Sequence, residues 1–155
     1  MNRKNEPEEV SFTMNALNLL KAVLVFIAMF HLVFGLGLML SVDFQKTAVA
    51  AYGGALEWSP ANIYFIRVIG SFAFVLGYLA WMAFRDPVRY RVIIIGFIGF
   101  FMLRNISRHL FAGEVYSALN ISETMNAFTS VFFGLQALLL AYLLWRSSKG
   151  SQQAK

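Results

Sequence analysis

The stretch 92-VIIIGFIGFFMLRNISRHLFA-112 decides the fold class of this 155-residue chain. Its first half contains no charged residue, and the whole stretch matches the roughly 20 residues that an α-helix needs to cross a bilayer. Its second half contains two arginines and a histidine, which are costly in hydrocarbon and usually face a protein interior or a water-filled cavity. The stretch is therefore typical of a membrane-spanning helix with one polar face.

Three further stretches are apolar and long enough to span a bilayer, and the overall composition agrees with them. Hydrophobic residues make up 59% of the chain and charged residues only 14%, which is more apolar than an ordinary soluble domain. No linker or internal repeat divides the sequence. We predict an all-α, polytopic membrane protein, a bundle of four transmembrane helices in a single domain of residues 1–155. The predicted spans are residues 18–40, 62–84, 92–112 and 125–145, with polar cytoplasmic tails at residues 1–16 and 147–155.

Two Ser-Pro or Asp-Pro pairs mark the starts of helices. Ser59-Pro60 and Asp86-Pro87 each place an N-cap residue before a proline. Proline suits the first helical position because the N–H that it lacks is not needed there. These pairs predict that the second helix starts at residue 60 and the third at residue 87.

The other boundaries follow from turn formers and capping residues. In the first outer loop, SVDFQKTAVAAY is followed by Gly53-Gly54, which predicts a short interfacial helix with a glycine stop. The fourth long helix is predicted to start between Asn120 and Ser122, in a capping-box spacing with a glutamate. The N-terminal tail is predicted to become helical near Ser11.

Basic residues outside the predicted spans or near their ends, apart from those of the polar sector described below, fall mainly on one side of the four-span topology. The N-terminal flank, the second loop and the C-terminal tail share that side, whereas the opposite loops contain only Lys46. The basic residues of the first side are Arg3, Lys4, Lys21, Arg85, Arg89, Arg91, Arg146, Lys149 and Lys155. Because Lys and Arg are enriched in cytoplasmic segments, we predict that both termini are cytoplasmic.

Several polar side chains of the predicted spans lie in the outer half of the bundle. Helical spacing puts Arg104 over Arg108 and Asn105 over His109, in one polar sector. Arginines at such depth face the interior of a bundle or a water-filled cavity. The sequence thus predicts a positively charged pocket that suits an anionic or quinone-like ligand. Its candidate ligand-binding residues are His31, Arg67, Arg104, Asn105, Arg108 and His109.

The alternative is a structural role for the same side chains. The arginines can extend to the headgroups or pair with carboxylates of the outer loops, and so hold helices together. A lone histidine on an apolar helix, such as His31, is more often hydrogen-bonded to a neighbour than used as a ligand. The candidate carboxylates are Asp43, Glu57, Glu114 and Glu123.

Small residues form a second pattern. Ala73 and Gly77 in the second span, and Ser130 and Gly134 in the fourth, have the spacing that lets helix backbones approach closely. The simpler interpretation is packing within one bundle, and homodimerisation is the alternative.

Other site classes find little support in the sequence. There is no cysteine, no nucleophile–base motif, no pair of carboxylates and no phosphate-binding glycine loop, so no catalytic residue and no metal ligand is assigned. Haem is disfavoured because the two histidines differ in predicted depth. The net charge of +5 forms no single stripe, which argues against nucleic acid as a partner.

The pattern resembles small bacterial four-helix membrane proteins of the DoxX-like and BphX-like groups. The resemblance rests on HLVFGLGLML at the end of the first span, on the long first outer loop, on Arg67 in YFIRVIGSFAFVLGYLA and on the basic turn FRDPVRYR. It covers most of residues 15–146 and implies a four-helix bundle in a bacterial inner membrane. Some relatives are associated with quinol oxidation or with the catabolism of aromatic compounds, and no catalytic residue is transferred.

These observations favour a non-enzymatic inner-membrane protein. It would act as an accessory subunit or as a binder of a small hydrophobic anion or quinone. Its partners would be the lipid bilayer and either another membrane protein or a second copy of this chain. The alternatives are a quinone-linked redox enzyme subunit and a small transporter, which would need to dimerise to build two halves.

Overall fold

In a computed structural model, all the regular secondary structure of the described residues, 6–153, is α-helical. Side chains are described for residues 16–148 apart from 115, 118 and 119. The helices, in chain order, are α1 (Glu6–Leu40), α2 (Val42–Ala51), α3 (Pro60–Arg85), α4 (Arg91–Leu110), α5 (Ala112–Leu119) and α6 (Glu123–Gln153).

Four of these helices are long and apolar enough to cross a membrane, which confirms the predicted all-α class and the number of candidate spans. The apolar segments are Ala16–Leu40, Pro60–Arg85, Arg91–Leu110 and Glu123–Ser148. The first loop contains the predicted short helix, α2, which is followed by Gly53 at a φ of +74°. Glycine adopts this left-handed conformation without a steric penalty.

The prediction that α4 starts at Asp86-Pro87 is wrong. Asp86 instead ends α3, and its Oδ1 accepts a hydrogen bond of 3.0 Å from the backbone N–H of Arg89. This local bond closes a turn, as aspartate often does ahead of a helix. α4 begins only at Arg91.

Two predictions about the polar ends of the chain also need correction. α1 begins at Glu6 rather than near Ser11, and α6 continues to Gln153, through most of the predicted tail. Residues 1–5 and 154–155 of these tails lie outside the described residues. The sequence analysis did not predict α5, which ends at Asn120 in a left-handed conformation.

α1 is the central helix of the bundle, with α3 and α6 packed against it and α4 packed mainly against α6. Its contact with α3 is unusually close. A Cβ built at Gly35 would lie 2.5 Å from the backbone nitrogen of Phe74 and 2.7 Å from the carbonyl oxygen of Gly70. Gly77 has equally close backbone neighbours in α1. The predicted role of Gly77 in helix packing is therefore confirmed.

The interior of the bundle is apolar, and so is most of its outer surface. Leu24, Phe97, Phe101 and Leu140 belong to the core cluster that joins the four long helices. Many large apolar side chains also point outward, for example Phe72, which is 67% exposed. At one end of the bundle, α2 packs against α1 and α3 and α5 packs against α4, and this end contains the polar side chains discussed next.

Candidate functional site

Arg108 is the centre of a polar cluster at the end of the bundle where α2 and α5 lie. Its side chain is only 8% exposed. One guanidinium nitrogen donates a hydrogen bond of 2.8 Å to Oδ1 of Asn126, and the other donates to the hydroxyl of Tyr52. The Asn126 amide in turn donates to the hydroxyl of Tyr116 at 3.4 Å. Arg108 thus connects α4 with α6 and with the end of α2.

The local structure explains how Tyr52 reaches Arg108. Ser41 caps α2 by accepting a hydrogen bond of 3.1 Å from the N–H of Phe44. Gln45 is fully buried and donates to the carbonyl oxygen of Leu38 at 2.6 Å, which fixes α2 against the end of α1. Tyr52 is the C-cap of α2, just before Gly53 turns the chain. α2 therefore serves as a short support that places the Tyr52 ring over the arginine.

Arg104 lies one turn before Arg108 on the same face of α4. Its Cζ atom is 4.5 Å from the centroid of the Phe133 ring, a distance typical of a cation–π contact. Arg104 also interacts with Tyr52 and repels Arg108. The two arginines thus lie on the same face of α4, as predicted, and Tyr52 interacts with both of them.

Asn105 and His109 form a separate contact with α6. Ser130 is 5% exposed, and its hydroxyl donates to Oδ1 of Asn105 at 2.7 Å. The same hydroxyl oxygen lies 3.2 Å from Nε2 of His109. The polar sector of α4 is therefore divided, because the two arginines face Tyr52 while Asn105 and His109 hold α4 against α6.

His31 lies on α1, close to the arginines but not bonded to them. Its Nδ1 is 2.9 Å from the carbonyl oxygen of Ile27. A carbonyl oxygen only accepts, so Nδ1 is the donor and Nε2 is the nitrogen left for another partner. The ring contacts Phe30 and Phe101 edge-on or tilted, and His31 lies near Arg104.

Arg67 is not part of this cluster. Its side chain is exposed on α3, and it forms no hydrogen bond, ion pair or ring contact with any described residue. α3 packs mainly against α1 and only slightly against α4. Of the six candidate residues, four lie on α4, His31 on α1 lies near Arg104, and Arg67 lies apart.

The two arginines of the cluster have no acidic partner among the described residues. None of the four candidate carboxylates lies in an ion pair with Arg104 or Arg108 in that part of the chain, and the partners of Arg108 are the neutral groups of Tyr52 and Asn126. The carboxylates in question are Asp43, Glu57, Glu114 and Glu123. Two uncompensated positive charges near an apolar interior create a strong local field that favours an anion.

A pocket of about 350 Å³ adjoins this cluster, between α1 and α6. Its polar lining consists of His31, Tyr52, Thr129 and Gln136, and its other walls are mainly phenylalanine side chains. We call it the Tyr52 pocket. Tyr52 belongs both to the wall of this pocket and to the arginine cluster. Because its oxygen accepts from Arg108, its own O–H proton is free to donate to a ligand oxygen.

The sequence analysis missed Tyr52, Asn126 and Thr129. The last two left a readable signal: Asn126, Thr129 and Ser130 follow helical spacing on one face of an otherwise apolar segment. Tyr52 left no such signal in the sequence apart from its position before two glycines. A tyrosine at the end of a short loop helix is common and does not by itself indicate a site.

The geometry around Ser130 does not favour nucleophilic chemistry. The distance from Ser130 to His109 suits a nucleophile and a base, but the serine proton is donated to Asn105 and the hydroxyl is buried between helices. Among the described residues, no group of three potential ligands is placed to hold a metal ion.

Comparison of the chain with protein-family models, with curated proteins and with solved structures finds no match. The geometry of the cluster and the pocket is therefore the basis for the function proposed below.

Proposed function

We propose that this chain is a multi-pass membrane protein that binds a small hydrophobic anion, or a comparable oxygen-bearing molecule such as a quinone, in the Tyr52 pocket. It acts as a non-enzymatic binding protein or as an accessory subunit. The observation that supports this most directly is a pair of arginines that have no carboxylate partner among the described residues. Both arginines interact with Tyr52, and Tyr52 lines an apolar pocket.

Insertion into a bilayer is supported by the outward-facing apolar side chains. In water, the exposure of these apolar faces would cost about 25 cal/mol per Å² of apolar surface. In a bilayer, lipid chains solvate the same faces. Phe65, Phe72 and Leu135 are each more than 60% exposed. The resemblance to DoxX-like proteins adds the proposal of a bacterial inner membrane.

The proposed topology puts the turn between α3 and α4 in the cytoplasm and puts α2 and α5 on the opposite side. The chain has no cysteine of its own, so single cysteines report their side without background. We expect a Gly113→Cys variant in intact cells to react with a membrane-impermeant maleimide and a Val88→Cys variant to react only after lysis. Both positions are exposed. The reverse pattern would invert the topology, and labelling of both in intact cells would contradict insertion as proposed.

The Tyr52 pocket combines the two features that an amphipathic anion needs. Its walls are apolar, which favours the hydrophobic part of a ligand. At its polar end, the Tyr52 hydroxyl and the two guanidinium groups behind it favour a negatively charged or strongly polar oxygen. The arginines are not among the lining residues, so they act on the headgroup through the Tyr52 hydroxyl and through their electrostatic field.

Ligand binding is tested by native mass spectrometry of detergent-purified protein, followed by extraction and identification of the bound molecule. Arg104 is the residue to change, because it is exposed and its loss should leave the fold intact. We expect wild type to retain a small anion or quinone and Arg104→Gln to lose at least tenfold in occupancy, equivalent to about 1.4 kcal/mol. Arg67→Gln is the matched control, since it removes the same charge from a helix outside the cluster. Equal occupancy in the two variants, or an empty wild-type protein, would contradict the proposal.

A quinone-linked redox subunit is the second candidate. It is favoured by one specific observation, namely that Tyr52 and His31 line the same pocket from different helices. The Tyr52 hydroxyl can donate to a quinone carbonyl, and Nε2 of His31 can exchange a hydrogen bond with a quinol hydroxyl. A co-purified quinone that is reduced or oxidised by partner proteins in native membranes would favour this candidate over simple binding.

A further inference from the structure

The Tyr52 pocket adjoins a second apolar depression along the seam between α1 and α6. The second pocket measures about 490 Å³ and is lined by Ala22, Val23, Leu135 and Leu139. Phe26, Phe132 and Gln136 belong to the walls of both pockets. The two pockets thus adjoin along one helix–helix seam, and together we call them the α1–α6 groove.

The groove is long. On α6 its wall extends from Met125 to Leu139, about 21 Å along the helix at 1.5 Å per residue. Because it follows a single helix–helix seam, it offers one path for a hydrocarbon chain. Phe26 and Leu135, on opposite rims, are 58% and 62% exposed, which leaves the groove open toward the surrounding bilayer.

The charge of the groove is confined to one end. Tyr52, with Arg104 and Arg108 behind it, lies at the Met125 end, whereas the lining of the Leu139 end is apolar. Part way along, the amide of Gln136 forms no hydrogen bond with another described residue.

From this complementarity we propose that the ligand of the Tyr52 pocket is an amphiphile with one long hydrocarbon chain and an anionic head, which enters sideways from the bilayer. The head lies at Tyr52, and the chain follows the seam past Gln136 to Leu139. This inference rests on the proposed function and narrows its ligand class. A short or compact anion would fill the Tyr52 pocket but leave the rest of the groove to ordinary membrane lipid.

The test uses two photoreactive palmitate analogues with the protein in phosphatidylcholine nanodiscs. One analogue has its diazirine near the carboxylate and the other near the end of the chain. We expect the first to label peptides that contain Tyr52 or Met125, and the second to label peptides around Ala22 and Leu139. Unlabelled palmitate should compete at least tenfold better than hexadecanol, which has the same chain and no charge. Equal competition by hexadecanol would overturn the anionic head.

Replacing either of two alanines by phenylalanine tests the path of the hydrocarbon chain along the groove. Ala22→Phe fills the far part of the groove, and we expect it to abolish labelling by the chain-end analogue. Ala141→Phe adds the same bulk at an exposed position of α6 outside the groove and should leave the labelling unchanged. Uniform labelling of the outer faces, including α3, would mean that the analogues merely dissolve in the bilayer, and would overturn the proposal.

Octanoate separates failure of this inference from failure of the proposed function. If octanoate binds in an Arg104-dependent manner as tightly as palmitate does, a small-anion site exists but the long-chain ligand is wrong. If neither compound binds to the wild-type protein with dependence on Arg104, both the proposed function and the inference fail.

Discussion

Arg108→Ala is expected to lower the free energy of unfolding by about 2–4 kcal/mol, because the substitution removes two charge-assisted hydrogen bonds from a buried cluster. The side chains of Asn126 and Tyr52 would lose their donor in a region where water is scarce. Asn126 is only 4% exposed, so its carbonyl oxygen would be left without a hydrogen bond. The effect is measured by reversible unfolding in mixed micelles of detergent and sodium dodecyl sulfate.

Arg67→Ala is the matched control for this substitution. It removes the same side chain from another candidate span, but Arg67 is exposed and contacts no described residue through a hydrogen bond, ion pair or ring. We expect a change of less than about 0.5 kcal/mol, as for ordinary surface substitutions. Equal losses in both variants would show that the arginines act through a general charge effect and that the contacts of Arg108 add no stability.

Gly35→Ala is expected to have a comparably large effect, on the packing of α1 against α3. The new Cβ would lie 2.5 Å from the backbone nitrogen of Phe74 and 2.7 Å from the carbonyl oxygen of Gly70. These are backbone atoms that cannot turn aside, so the two helices must separate. Overpacking of this kind costs about 1–3 kcal/mol, and separation along the seam adds the loss of contacts around Gly70 and Gly77. Unfolding in the same mixed micelles measures the cost.

Gly99→Ala provides the control for Gly35→Ala. A Cβ at Gly99 meets nothing within 4 Å, so alanine should fit without strain. Since alanine is favoured over glycine in a helix interior by about 1 kcal/mol, this variant should be as stable as wild type or more so. If Gly35→Ala were also stabilising, the close contact between α1 and α3 would be absent in the folded protein.

Part of the site follows from helical periodicity alone. The spacing of Arg104 and Arg108 and of Asn105 and His109 places these side chains in one sector of one helix, and the structure contains that sector. Periodicity relates the side chains of one helix to each other, because the backbone hydrogen bonds fix 3.6 residues per turn. It gives no information on how the helix is rotated relative to its neighbours, and for that reason Arg67 was grouped with side chains that it does not contact.

The sequence by itself determined the all-α class, the four long apolar segments and the polar sector of α4, because length, hydropathy and spacing are local properties of the chain. Only the tertiary structure decided that Arg108 binds Tyr52 and Asn126 and that the two arginines lack an acidic partner among the described residues. It also decided that a groove runs between α1 and α6. These features join residues far apart in sequence, and they depend on how each helix is rotated and how closely it packs. Side-chain shape settles that packing only when all the helices are in place.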